Sequence, residues 1–265
     1  MHSAFQLARK YIRYYLTAMN GKGHGMHSPF VFAFILDVLN NRPRYVPPVE
    51  IEALRQALLR DNTVLTIEDL GAGSRSGATK QRSVAQLART AVKPPKWSHF
   101  LYRLAAHYRP RTIIELGTSL GVSTAYLAKA VPEATVHTIE GSAAVRGRAQ
   151  QHFAALGLDR ILSHVGNFDD VLPQLLAGME TVDLAYIDGN HRREPTVRYF
   201  EQLLPHCGND SILVFDDIHW SGEMEAAWEE IRQHPRVRCT VDLFFMGLVF
   251  FREEFKVPRH FAVRF

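Results

Sequence analysis

Two hydrophobic periods alternate along this chain. Near the start, Phe5, Ala8, Ile12, Tyr15, Leu16 and Met19 recur at helical spacing and predict a helix over residues 3–19 with that stripe turned inward. After a Gly- and His-rich loop, GKGHGMHSPF, the run Val31–Asn40 predicts a buried helix, and a further helix is expected from about Glu50 to Arg60. From residue 111 the pattern becomes regular. RTIIEL, ATVHTIE, ILSHVG, VDLAYID and SILVFDD are short apolar runs rich in β-branched residues, separated by segments of helical period such as STAYLAKAV and Ala143–Leu156. Strands alternating with helices indicate βαβ units and a parallel sheet covered on both faces. The tail, VRCTVDLFF and LVFFRE around Met246-Gly247, predicts an antiparallel hairpin turning at that pair.

A break falls at KPPK, residues 93–96, where two prolines end the helix expected over Gln81–Thr90. It suggests a mostly helical extension over residues 1–95, serving as a lid or acceptor region, and a catalytic α/β domain over residues 96–265. Composition is ordinary, with 46% hydrophobic and 22% charged residues in 265, enough to bury a core without staples. Two cysteines exclude a disulfide framework and a cysteine-built zinc site. No apolar run reaches the length of a membrane span and no leader pattern opens the sequence, so a cytoplasmic protein is expected. The net charge of +4 is uneven: residues 1–95 hold 13 Lys/Arg against 6 Asp/Glu, while the remainder is mildly acidic. The basic arm suits an anionic partner, although scattered charge is more often a solvated face.

In open parallel sheets, ligands sit beyond the carboxyl ends of the strands. Five strand ends here carry acids or small residues: Glu115 through Ser123, Glu140, Gly166-Asn167, Asp188 through His191, and Asp216-Asp217 with His219. ELGTSLG is not the GxGxxG of diphosphate binders. Its glycines admit a close backbone approach, and Ser119, Ser123 and Thr124 offer hydroxyls and helix-terminal N–H groups to a carboxylate. Glu140 at the end of the second strand has the position to take both hydroxyls of a ribose. An amino-acid carboxylate plus a ribose describes S-adenosylmethionine better than a dinucleotide.

These residues carry a resemblance. From about Trp97 to Phe251 the chain resembles the class I S-adenosylmethionine-dependent methyltransferases, through ELGTSLGVST, HTIEG, VGNFDD, AYIDGNH and LVFDDIHW in that order, and most resembles the small-molecule, catechol-type O-methyltransferases. The resemblance implies a Rossmann-like, doubly wound, mostly parallel seven-stranded sheet ending in an antiparallel hairpin. It implies that Glu115, Gly117, Thr118, Ser119, Gly121 and Ser123 hold the methionine moiety, Glu140 with Gly141 the ribose, Asn167 and Phe168 the adenine, and that Asp188 borders the cofactor. It also implies a divalent ion such as Mg²⁺ on Asp188, Asp216 and Asp217, with Asp217 standing where the family has Asn. The family's lysine base corresponds to His191, and His219 competes for that role; imidazole titrates near neutrality and suits a hydroxyl proton.

The expected activity is methyl transfer to an oxygen of a small molecule, with the basic arm suiting an anionic acceptor. Two rivals stand beside it. A nucleic-acid (RNA) methyltransferase would use the basic arm, but the fourth strand ends in IDGNH without the Pro-Pro-aromatic turn that grips a flipped base. A non-catalytic cofactor-binding scaffold would bind without turnover. TVLTIEDLGAGSRSG, residues 63–77, imitates a first motif but lacks a following ribose acid; it reads as a surface turn or as a lid carrying Arg75, with Lys80 and Arg82 behind it. His24 and His27 supply only two ligands and read as a structural loop. The basic N-terminal helix is compatible with a membrane surface or with a second subunit in a homodimer, though its Tyr and Ile stripe reads foremost as buried.

Overall fold

Ser3 opens the first helix with a capping box, its hydroxyl accepting from the Gln6 amide while the Gln6 side chain returns to the Ser3 N–H. The structure is a computed structural model describing residues 1–41, 43–68 and 79–265. It falls into two compact units, one of residues 1–40 with 176–265, the other of residues 41–175; neither division lies at 95/96.

The first unit begins with α1 (Ala4–Thr17) and α2 (Pro29–Phe34), which continues as a π-helical turn over Ile35–Leu39. The helix expected at Val31–Asn40 is therefore present but changes pitch, with Val31, Phe34, Ile35, Val38 and Leu39 all buried. For α1 the element agrees with its periodicity and the inward face does not. Tyr14 and Ala18 are buried with Phe244, and Leu7 and Tyr11 pack beside them, while Phe5, Ile12, Tyr15 and Leu16 are exposed.

The second unit contains α3 (Val49–Leu58), then an antiparallel pair β1 (Val64–Glu68) and β2 (Thr79–Ser83), then α4 (Val84–Thr90) and α5 (Pro95–Tyr108). The segment expected to start a helix at Gln81 is strand to Ser83, because Ser83 with Gln86 makes a second capping box that fixes the helix start. The βαβ pattern follows: β3 (Thr112–Leu116), α6 (Val122–Ala130), β4 (Thr135–Glu140), α7 (Ala143–Ala155), β5 (Ile161–Val165) and α8 (Phe168–Leu176). β3, β4 and β5 pair in parallel, and α3, α4 and α6 share a core around Ile51, Leu87 and Tyr126.

The first unit then resumes with β6 (Leu184–Ile187), α9 (Arg193–Leu203), β7 (Ile212–Asp216), α10 (Gly222–Gln233), β8 (Cys239–Asp242), β9 (Met246–Phe250) and β10 (Arg259–Ala262). β6 and β7 are parallel, β9 runs antiparallel to both β7 and β8, and β10 returns parallel to β8. The hairpin is where it was expected, but its turn is Leu243–Phe245, not Met246-Gly247. Asp242 Oδ1 accepts from the Phe244 amide at 2.7 Å, and Phe244 takes a positive φ of 70°. Gly247 has another reason to be glycine: a Cβ there would meet the Trp228 indole of α10 at 2.6 Å. This is a doubly wound, mostly parallel α/β fold. Among the described residues β3, β4 and β5 pair in one unit and β6 through β10 in the other; β10, whose RHFA sequence carries no strand period, was not among the expected strands.

Candidate functional site

In the second unit the loop between β3 and α6 is tied down along its length. The amides of Gly117 and Thr118 donate to Ile139 O at 3.0 and 3.2 Å, and the Gly121 amide donates to Thr118 O at 2.9 Å. Ser119 has φ 48° and Gly121 φ 79°; a Cβ on Gly121 would meet the Phe153 ring at 2.5 Å. Thr118 is buried with its hydroxyl 2.5 Å from that of Thr138. Glu115 is fully buried, and its Oε2 accepts from Thr138 Oγ1 at 2.7 Å and from Thr124 Oγ1. Leu120 O is 2.9 Å from His152 Nδ1, whose pKa burial pushes down. Ser123 is half-buried in the first turn of α6.

Glu140 ends β4 beside this loop. Its Oε2 accepts from the Ser119 amide at 2.8 Å and its Oε1 from the Ser142 amide at 3.0 Å. Burial raises its pKa above the usual carboxylate range, and the amides of Ser142, Ser119 and Gly141 oppose that rise. A carboxylate has about four acceptor sites, so the group keeps acceptor capacity beyond these amides for a ribose hydroxyl. Asn167 caps α8, its Oδ1 accepting from the Asp169 amide at 3.1 Å, and the half-buried Phe168 follows it. The structure thus brings Gly117 through Gly121 together with Glu140, Gly141 and Ser142 around one carboxylate. The expected lid residues, with Gly71, Gly73, Arg75 and Gly77, lie outside the described residues; Lys80 and Arg82 are exposed on β2.

In the first unit, the turn after β6 is built on two successive left-handed residues, Asn190 (φ 66°) and His191 (φ 37°). Asn190 Nδ2 donates to the hydroxyl of the buried Tyr199 at 2.6 Å, and the His191 amide to Gly189 O at 2.9 Å. Asp188 accepts the hydroxyl of the buried Tyr186 at 3.0 Å, and its other oxygen lies 3.6 Å from His191 Nε2. Among the described residues, the acid and imidazole groups that converge are Asp188, His191 and Asp216, with ligand atoms within 4.8 Å of one another. Asp217, expected as the third metal ligand, is outside that group and His191 takes its place. Asp217 has φ 54° and its amide donates to Phe245 O at 2.6 Å.

His219 is committed elsewhere. Its Nε2 is 2.9 Å from Asp242 Oδ2, its Nδ1 3.2 Å from Glu225 Oε1, and its ring stacks on Phe244 at 5.0 Å. Burial alone would lower its pKa, but Asp242 and Glu225 outweigh that and hold it above the ordinary imidazole value. With both nitrogens facing carboxylates, no lone pair is left for a substrate proton. Sequence reasoning missed Tyr186 and Tyr199. Tyr186 was findable, since residues two apart on a strand share a face and Asp188 follows it at that interval; Tyr199 had no such signal.

Residues 114–218 match the family of methyltransferase domains. Among curated proteins the chain is similar to the catechol O-methyltransferases of Niastella koreensis (29% identical over 146 residues, 54% of this chain and 65% of that protein) and Mycobacterium tuberculosis (30% over 145 residues, 54% and 64%). The chain therefore spans just under two thirds of the length of these relatives. Among solved structures it resembles the cofactor-bound Rv0187 from MTB, with TM-score 0.60 and 20% identity over 85% of this chain and 97% of that one. It also resembles a Bacillus cereus O-methyltransferase in complex with SAH, with TM-score 0.54 and 23% identity over 61% and 83%. The match to the methyltransferase-domain family covers residues 114–218, and the fold is the one these solved structures share.

Proposed function

We propose that this chain, carrying a class I methyltransferase domain, transfers the methyl group of S-adenosylmethionine to an oxygen of a small molecule. The observation that carries the reading is Glu140, placed by the Ser119 and Ser142 amides to offer two acceptor oxygens at the end of β4. The names of the curated relatives support the oxygen acceptor. When bound, S-adenosylmethionine supplies an electrophilic methyl on a sulfonium, open to in-line attack. Glu140 and Gly141 hold the ribose, the Gly117–Gly121 backbone with Thr118, Ser119 and Ser123 receives the amino-acid end, and Asn167 with Phe168 flanks the adenine. Glu115 stays behind the loop as the carboxylate that Thr124 and Thr138 bind. His191 is the base. With Nε2 turned to Asp188, its Nδ1 accepts the acceptor's hydroxyl proton, and Asp188, held by Tyr186, stabilises the resulting imidazolium.

The Asp188–His191–Asp216 group supports a second reading, a divalent ion at this place. Two carboxylates and an imidazole suit Mn²⁺ or a later transition ion better than Mg²⁺, which favours an all-oxygen shell. An ion held by all three residues would also take His191 out of service as a base. Chelation separates the two. With His191 as the base, turnover survives EDTA; loss of turnover in EDTA, restored by Mg²⁺ or Mn²⁺, would establish the metal centre instead. The acceptor is read as a hydroxylated, anionic small molecule on the strength of the basic N-terminal third, the enzyme as cytoplasmic, and a homodimer as compatible with it.

A further inference from the structure

The helix α1 has two apolar arcs, and among the described residues only one of them is packed against the fold. The inner arc, Leu7, Tyr11, Tyr14 and Ala18, packs with Phe244, Phe245 and Ala262 of the same unit. Tyr11 meets Phe244 edge-on at 5.0 Å, the Tyr14 hydroxyl donates to Val263 O, and Lys10 Nζ reaches both oxygens of Glu225 at 2.8 Å. α1 is thus anchored by its own core contacts, and its outer arc is not a surface awaiting that core.

The outer arc is Phe5 (79% exposed), Ile12 (59%), Leu16 (71%) and Tyr15 (50%), with Ala8 between them. Positions 5, 8, 12, 15 and 16 lie within one third of the helix circumference. Arg9 and Arg13, both exposed, border the arc on the side of Leu16, and the Arg264 guanidinium lies over the Tyr15 ring at 4.9 Å on the other. No Asp or Glu occurs in the first 36 residues, against four Lys/Arg. Phe32 (41%) and Leu36 (42%), one helical turn apart in the same unit, are exposed as well.

We propose that the outer face of α1 seats the protein on the surface of a bilayer containing anionic lipid. The apolar arc would enter the boundary between headgroups and acyl chains, and Arg9 and Arg13 would extend to the phosphates. Charge selects this occupant over a second copy. A two-fold pairing of α1 would bring the Arg9 and Arg13 of both helices toward one another, with no acid on either helix to offset them. The helix lies on the surface without crossing it, since among the described residues no helix is long and apolar enough to span a membrane. The inference is independent of the reaction assigned above.

The test is co-sedimentation of the full chain with phosphatidylcholine vesicles, with and without about a quarter of phosphatidylglycerol. The protein should pellet with the anionic vesicles alone, and less so as salt rises. Combined Arg9→Gln and Arg13→Gln should weaken the partition about 30-fold, from about fivefold per arginine. Combined Phe5→Ser, Ile12→Ser and Leu16→Ser should weaken it by about 100-fold or more. Both variants should keep the parent's melting temperature, because every altered residue is exposed. Absence of pelleting with anionic vesicles, equal pelleting with neutral ones, or binding unchanged by the triple substitution would overturn the proposal. So would sedimentation velocity showing a dimer that the triple substitution dissolves, which would assign the face to a second copy.

Discussion

The loop after β3 and the turn after β6 both leave the carboxyl end of a parallel strand, yet they are built in opposite ways. The first is laced to the backbone of β4, has Glu115 buried beneath it, and presents Glu140 through two main-chain amides. The second has its own pair of left-handed residues and places half-buried Asp188 and His191 through side-chain hydroxyls, Tyr186 and Tyr199. Main-chain bonds fix a site independently of most substitutions; side-chain bonds leave it adjustable. Under the proposed function, the first loop would serve one constant ligand and the turn a variable one.

Three substitutions can break or sharpen this contrast. The largest effect should come from the adjustable turn. His191→Ala removes the proposed base and should lower kcat by about 10²- to 10⁴-fold, with affinity for S-adenosylhomocysteine unchanged by calorimetry. Loss of that affinity instead would mean the turn serves the cofactor. Next, Glu140→Ala should weaken S-adenosylhomocysteine binding by about 30- to 150-fold, the scale of two hydrogen bonds to a charged group. Because burial raises the Glu140 pKa, and the ionised form is the better acceptor, affinity in the parent should already fall at a pH above the ordinary carboxylate range. A flat pH profile there would remove Glu140 from the ribose. The smallest effect is structural. Gly121→Ala puts a methyl into the Phe153 ring at a positive φ and should cost about 1–3 kcal/mol in denaturant unfolding. No change in stability would show that the β3 loop is looser than its bonds suggest.

Much of this was legible from residues alone. The β-branched runs at 112–116, 135–140 and 212–216 declared themselves as strands because both faces of a parallel sheet are buried and β-branched or apolar residues dominate each run. The acids at their ends followed from position. What stayed hidden were choices that local pattern does not encode. In α1 the periodicity marks two apolar arcs, and nothing along the chain says which meets Phe244. Gly247 signals a turn in any sequence rule, whereas here it makes room for Trp228. His219 looks like a catalytic imidazole until Asp242 and Glu225 close on both nitrogens, a contact spanning 23 residues on one side. Asp217 was exchanged for His191 in the acidic group because the left-handed turn at Asn190 and His191 is not visible in IDGNH.

The interleaving of the two units bears on how the chain is made. Residues 1–40 find their partners in the segment 176–265: Met19 bridges Val263, its amide donates to Ala262 O, and the Arg264 amide returns to Met19 O. On the ribosome, residues 41–175 emerge while the opening helices have no strand to join. At about 5–20 residues per second, α1 and α2 wait on the order of ten seconds or longer with both apolar arcs of α1 uncovered.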